Sequence, residues 1–282
     1  MMRNSFNDLK DKVCVITGGA GVIGAALSRG LASVGAKTAI LEVNDDAARG
    51  LADELQQTYG TESFAYHADV LDKGNLTGVR NQIHQDLGSI DVLINCAGGN
   101  SPKATTEKEI LTEEDLSDLK GSFFDLSTEG FDFVYGLNFK GTLLPIMVFG
   151  QDMIDKRQGA ILNISSMAAI TAITKVPAYS AAKAAVTNFT RWLSVHLAQT
   201  GIRVNAMAPG FFLTNQNRFL LKDEQGNLKE RGQKIIDNTP FGRFGEVEEL
   251  VGTSLFYVSD ISSFITGTVL PVDGGFSSYS GV

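Results

Sequence analysis

Cysteine is scarce in this chain, positive charge is in deficit, and no apolar stretch reaches about twenty residues. The two cysteines, Cys14 in an apolar run and Cys96 beside a glycine turn, lack metal-ligand and redox-motif spacing. That argues against a disulfide framework and predicts two buried free thiols. With 24 Lys and Arg against 32 Asp and Glu, the formal charge of -8 provides no basic field for phosphate backbones or anionic lipid. Nucleic acid is therefore not an expected partner. The missing long apolar run, together with a polar amino end (Met1 to Lys12), predicts no membrane span, no signal peptide and a cytoplasmic protein. His67, His84 and His196 have no catalytic or metal spacing, so no metal is expected. His196, in the apolar run R-W-L-S-V-H-L-A, reads as structural.

What the sequence has in plenty is alternation. Its 282 residues are 43% hydrophobic and 20% charged, ordinary for a folded globule, and no low-complexity linker or composition break divides them. Short apolar runs at Val13–Thr17, Thr38–Val43, Ser63–Ala68, Val92–Asn95, Ala160–Ser165, Arg203–Ala208 and Val269–Val272 predict seven strands. Helix-length stretches lie between them at Val22–Val34, Asp45–Tyr59, Asp72–Leu87, Phe131–Lys156, Ala178–Gln199 and Glu246–Val258. Nearly continuous apolar strands separated by helices predict an α/β fold, a doubly wound parallel sheet with helices on both faces. One domain over residues 1–282 is expected. Two segments break the pattern. Residues 99–130 include eight acidic residues from Glu107 to Glu129 against only Lys108 and Lys120, and residues 210–243 are loop-like. Both follow strand carboxyl ends, where open α/β sheets bind ligands, so both are expected to wall a substrate pocket.

Thr17 to Gly24, T-G-G-A-G-V-I-G, joins the first strand to a helix. Glycines there let the backbone approach a pyrophosphate, and the helix start presents free N–H groups. The second strand ends at Glu42, whose carboxylate can accept from both adenosine ribose hydroxyls and would repel a 2′-phosphate. Neither Gly19, Ala20 nor Val43 supplies an opposing cation, so NAD rather than NADP is expected. Tyr179 and Lys183 in A-Y-S-A-A-K stand one turn apart on a helix face, thirteen residues after Ser166. A Tyr-x-x-x-Lys pair is common on solvated helices. Beside a catalytic cleft, however, an ammonium would lower the phenol pKa toward neutrality and suit it for acid/base work.

Taken together, the glycine loop, Asp69-Val70, Asn95-Cys96-Ala97-Gly98, Asn138, Ser166, Tyr179-x-x-x-Lys183 and Pro209-Gly210 closely resemble the classical short-chain dehydrogenase/reductases, in order and over nearly the whole sequence. The resemblance implies a single-domain Rossmann fold and a homo-oligomer, dimer or tetramer, formed through the fifth and sixth helices and the last strand region. It implies that Tyr179 exchanges the substrate hydroxyl proton and Ser166 binds the same oxygen. Lys183 would hold the nicotinamide ribose, and Asn138 would support a proton-relaying water. The NAD site would comprise Thr17, Gly18, Gly21, Val22, Ile23, Gly24, Glu42, Asp69 and Val70 at the adenine, Asn95, Ala97, Gly98, Tyr179 and Lys183. Pro209, Gly210, Phe212 and Thr214 would meet the carboxamide end. The Phe211-Phe212 pair could close over nicotinamide or fill core. Two departures stand out: the loop's second glycine is Gly21, with Val22 where the classical pattern has glycine, and Cys96 replaces the usual second asparagine.

A narrower similarity, in C-A-G-G-N-S-P-K-A-T-T, T-K-V-P-A-Y, A-P-G-F-F-L-T-N-Q-N-R and P-V-D-G-G-F-S-S-Y-S-G-V, is to the D-mannonate oxidoreductases (fructuronate reductases) within that family, and more loosely to gluconate 5-dehydrogenases. It implies a sugar-acid substrate, D-fructuronate reduced to D-mannonate. An anionic, hydroxyl-rich substrate needs a cation and several amide or hydroxyl groups. Asn100, Lys103, Ser166 and Arg218 are the predicted contacts, with Lys175, Asn215 and Gln216 on the same segments. Another polyol or sugar-acid dehydrogenase is the alternative enzyme. A non-catalytic NAD-sensing protein on this fold is a further alternative, opposed by the filled catalytic positions.

Overall fold

The structure, a computed structural model, describes residues 5–213 and 221–281. One sheet contains β1 (Val13–Thr17), β2 (Lys37–Glu42), β3 (Ser63–His67), β4 (Val92–Asn95), β5 (Gly159–Ile164), β6 (Ile202–Pro209) and β7 (Val269–Val272). Their spatial order is β3-β2-β1-β4-β5-β6-β7, and every neighbouring pair is parallel. This is the expected doubly wound, Rossmann-type sheet. The helices are α1 (Val22–Ser33), α2 (Asp45–Tyr59), α3 (Lys73–Asp86), α4 (Thr128–Tyr135), α5 (Gly141–Lys156), α6 (Pro177–His196), α7 (Glu230–Asp237) and α8 (Val251–Val258).

Alternation along the strands builds two cores. Val13 and Val15 of β1 pack with Leu76, Val79 and Ile83 of α3 and Phe149 and Met153 of α5, whereas Cys14 and Ile16 pack with Leu27 and Leu31 of α1 and Leu255 of α8. Since successive side chains on a strand point to opposite faces, an all-apolar strand needs helices on both sides. The backbone leaves β1 toward β2 on one side and reaches β4 on the other, so the strand order reverses between β1 and β4. A crevice opens at their carboxyl ends. Helix ends follow local chemistry. Asn44 accepts from the Ala47 N–H at the start of α2, Gly60 closes it with φ 68°, and Asp72 accepts from the Gly74 and Asn75 N–H groups at the start of α3.

The predicted helix Phe131–Lys156 is two helices joined by a π turn, Gly136–Lys140, with Asn138 inside it. Together Thr128–Lys156 is long and apolar enough, by length and composition only, to cross a membrane, contrary to the expectation that no such stretch exists. Here it packs against the sheet and α6, and half of its most apolar window is buried. The last predicted helix is also shorter: Val247–Leu250 is a 3-10 turn leading into α8.

The α5 side of this run holds a buried anion. The Asp152 carboxylate accepts from the Ile90 N–H (2.9 Å), Arg80 Nε (2.6 Å) and His84 Nε2 (2.5 Å), joining α3, α5 and the start of β4. Burial pushes the Asp152 pKa up, but these bonds outweigh it and leave the carboxyl below its ordinary 3.8. Because the folded pKa is depressed, the stabilisation is present above pH 3.8 and is lost as pH falls through the folded value. Asp152→Ala should therefore lower unfolding free energy at pH 7 by about 2–3 kcal/mol, as expected for stranding buried donors. Urea melts of both proteins should show the gap intact at pH 5 and closing only below pH 3.8. An equal gap at pH 7 and pH 2 would assign the loss to packing instead.

Candidate active site

The crevice at the β1/β4 switch is a cleft of about 760 Å³. One end is lined by Gly18, Gly21, Val22, Ile23, Gly24, Glu42, Asp69 and Val70, and the other by Ser166, Tyr179, Lys183, Pro209, Gly210, Phe211, Phe212, Leu221 and Arg231. Ala97, Gly98, Gly99 and Asn100 also border it.

The glycine loop leaves room for a ligand because side chains do not fit there. Gly18 has φ +61°, and a Cβ on it would lie 2.9 Å from Ala97 Cα, while one on Gly24 would lie 2.0 Å from the Gly18 carbonyl oxygen. Gly21 donates to the Gly18 carbonyl at 3.1 Å and stands just before α1, whose first turn has no side-chain cap. The turn thus closes with glycine at 21, and Val22 is simply the first residue of the helix. Free N–H groups on a dipole's positive end suit a pyrophosphate. Thr17 is not a wall of the cleft. Its Oγ1 accepts from the Cys96 (3.1 Å) and Ala97 (3.2 Å) N–H groups, tying β1 to the loop after β4. Asn95 is likewise internal, donating through Nδ2 to Asn163 Oδ1, and Asn163 donates to Thr190 of α6.

At the inner end, β5 places Ser166 and α6 presents Tyr179 and Lys183 one turn apart. The Tyr179 phenol lies beside the Ser166 hydroxyl, and the Lys183 ammonium lies 5.6 Å from the tyrosine ring centre. Lys183 is 4% exposed and donates to the Ile164 carbonyl at 2.8 Å. Asn138, fully buried in the π turn, donates through Nδ2 to the carbonyls of Gly99 (2.7 Å) and Val134 (2.8 Å). A Cβ at Gly98 would come 2.7 Å from Asn138 Oδ1 and 3.3 Å from Lys183 Nζ, so only glycine lets both groups approach.

Protonation here departs from the sequence expectation. Burial pushes the Tyr179 phenol above its ordinary 10.0, and the bond with Ser166 offsets this only in part. Burial also lowers the Lys183 ammonium to about 8. The Lys183 ammonium donates to the Ile164 carbonyl, and the shift of the phenol is set by burial and Ser166 instead. Cys96 is half-buried and lines the cleft, rather than lying in the core like Cys14, and burial pushes its thiol up to about 12.

Several predicted contacts move. Lys103 is exposed and absent from the cleft wall. It sits on the turn Pro102–Ala104 with its Cβ against Gly130 of α4, beside Glu129. Asn100 borders the cleft as predicted and donates to Thr105 at 2.8 Å. Thr214, Asn215, Gln216 and Arg218 lie outside the described residues. Lys175 has φ 75° and is not on the wall. Residues 101–130 carry three 3-10 turns, Pro102–Ala104, Glu113–Ser117 and Phe123–Asp125, and none of the segment lines the cleft. Phe212 fills core against Gly245, and Phe211 packs edge-on with Phe276 at 5.3 Å. His196 stacks on exposed Trp192 rather than packing inside. The cation that sequence reasoning missed is Arg231 on α7; its pairing with Glu109, across 122 positions, leaves no local signal.

A family model described as enoyl-(acyl carrier protein) reductase matches residues 18–277. An uncharacterized oxidoreductase of Haemophilus influenzae is 50% identical over 277 residues, covering 98% of this chain and 96% of that one. The chain belongs to the short-chain dehydrogenase/reductase family. Another relative in it, an uncharacterized oxidoreductase of Bacillus subtilis named UxuB, is 47% identical over 276 residues, 98% of both sequences. Among solved short-chain dehydrogenase structures, one from Haemophilus influenzae with bound NAD, provisionally named a D-mannonate oxidoreductase, is 50% identical with a TM-score of 0.92 over 98% of both chains.

Folding takes Lys183 from 10.5 to about 8, so between those values the folded state holds fewer protons than the unfolded state. Its buried charge weakens the fold below pH 8, and the penalty fades as pH rises toward 10.5. The shift corresponds to roughly 3 kcal/mol, of which the lost bond to Ile164 would return about 1. Lys183→Met should thus unfold at higher denaturant at pH 7, by about 2 kcal/mol, with the gain gone by pH 10.5. A variant less stable than the parent at pH 7 would contradict this.

Proposed function

We propose that the protein is an NAD-dependent oxidoreductase interconverting a sugar-acid ketone and its alcohol, with D-fructuronate and NADH giving D-mannonate and NAD. The observation that carries the reaction type is the Tyr179 phenol, beside Ser166 and one turn from buried Lys183, in a cleft whose far end carries Glu42. The similarity to the Haemophilus structure supports the substrate.

Bound NADH supplies a hydride to the ketone carbon. Ser166 and Tyr179 hold the ketone oxygen, and Tyr179, whose pKa is raised by burial, donates its proton as charge develops there. Lys183, poised near pH 8 and in reach of the ring, holds the ribose and returns a proton to the tyrosine. Asn138 keeps the π turn and the Gly99 loop in register behind them. The glycine cradle and the uncapped start of α1 would take the pyrophosphate, Asp69 and Val70 would border the adenine, and Pro209-Gly210 would border the nicotinamide end.

Purified protein should oxidise NADH with fructuronate faster than with tagaturonate, 5-ketogluconate or simple ketones. Tyr179→Phe should lower turnover by at least about a hundredfold with NADH affinity within severalfold, the usual cost of removing an acid/base group. Near-normal turnover in that variant would refute the mechanism, and preference for a simple ketone would refute the substrate.

Cofactor choice follows from charge. Glu42 lines the adenosine end, and among the described residues the only cations on the cleft wall are Lys183 and Arg231 at the opposite end. A 2′-phosphate would meet a carboxylate with nothing to offset it, which corresponds to a preference for NADH of about a hundredfold or more. Glu42→Ala should reduce kcat/KM with NADH and raise it with NADPH. An unchanged ratio would place selectivity elsewhere.

A further inference from the structure

Resting on the sugar-acid reading of the site, we propose that Arg231 is the residue that receives the substrate carboxylate, and that Glu109 holds it ready. Lys183 donates to the Ile164 carbonyl and serves Tyr179 and the ribose in the proposed reaction, which leaves Arg231 as the one other cation among the described cleft-lining residues. Its wall is the substrate end, shared with Ile173, Val176, Phe211 and Leu221, and two of these lie just before Tyr179 in sequence.

The guanidinium is built in rather than solvated. Nη1 donates to Glu109 Oε1 at 2.7 Å and to Thr174 Oγ1 at 3.4 Å, and Nη2 donates to the Thr174 carbonyl at 3.4 Å. Only 23% of the side chain is exposed. These bonds use three of its five N–H groups, and two stay available for a planar carboxylate. Glu109 does not neutralise the site. The same carboxylate also pairs with Lys234 and feels Lys175, and this company holds it below the usual carboxylate range. Glu109 is thus shared among Arg231, Lys234 and Lys175 rather than reserved for Arg231. Glu109 comes from the acidic segment that otherwise lies outside the cleft. That segment acts as a strut, fixing α7 and the Thr174 loop so that the arginine fork keeps one orientation.

The test measures kcat and KM with NADH for fructuronate and for fructose, a neutral ketose, in the parent, Arg231→Ala and Arg231→Lys. Arg231→Ala should lose about 10- to 100-fold in kcat/KM for fructuronate, carried by KM, as for a lost charge-assisted pair that binds ground and transition states alike. Fructose efficiency should change less than about threefold, and Arg231→Lys should recover part of the loss. Calorimetric titration of fructuronate into Tyr179→Phe with NADH, with and without Arg231→Ala, should show the same loss in binding. A parent with no preference for fructuronate over fructose overturns the sugar-acid reading and this assignment together. A parent that prefers fructuronate, with Arg231→Ala keeping that preference or losing both substrates equally, overturns the Arg231 assignment alone.

Discussion

Lys183 carries its charge into the core, and the inner end of the cleft is arranged around keeping it there. The Ile164 carbonyl receives its ammonium, Gly98 stands aside for it, and the Ser165 hydroxyl binds the Lys183 carbonyl and Thr187 to fix α6 on β5. A buried ammonium costs stability unless its donors are met. Here the cost is only partly met, which is why burial lowers its pKa to about 8.

Much of the frame was legible in the sequence. Val13–Thr17, Val92–Asn95, Val269–Val272 and Asp45–Tyr59 form as predicted, because buried strands and capped helices write their boundaries locally. Thr17 to Gly24 was legible for the same reason: its glycines answer to contacts within a single turn and the next strand. The i,i+4 spacing of Tyr179 and Lys183 needs only a helix to become a shared face.

What was not legible depends on distant contacts. Asn138 breaks a helix that reads as continuous from Phe131 to Lys156, because its amide bonds the Gly99 carbonyl 39 positions away and the Val134 carbonyl in the preceding turn. A π turn of this kind lets one side chain leave the helical ladder without ending the helix. Lys103 was a candidate cation, with Arg218, because each lies on an irregular segment after a strand. The backbone then turns back on Gly130 and points Lys103 away, while Arg231 arrives from the far side of residues 214–220. Neither displacement has a local sequence signature.

The same burial that was invisible in sequence also sets the proton inventory. With the phenol raised and the ammonium lowered, both Tyr179 and Lys183 hold protons at neutral pH, and as pH rises Lys183 gives up its proton first, around 8. A site so loaded is a proton donor to a ketone oxygen, with its reserve one group behind the donor. In the reverse direction the phenol would have to release its proton against desolvation before it could accept one from an alcohol. In the proposed reaction this loading favours ketone reduction at neutral pH and alcohol oxidation at higher pH, whichever carbonyl substrate is bound.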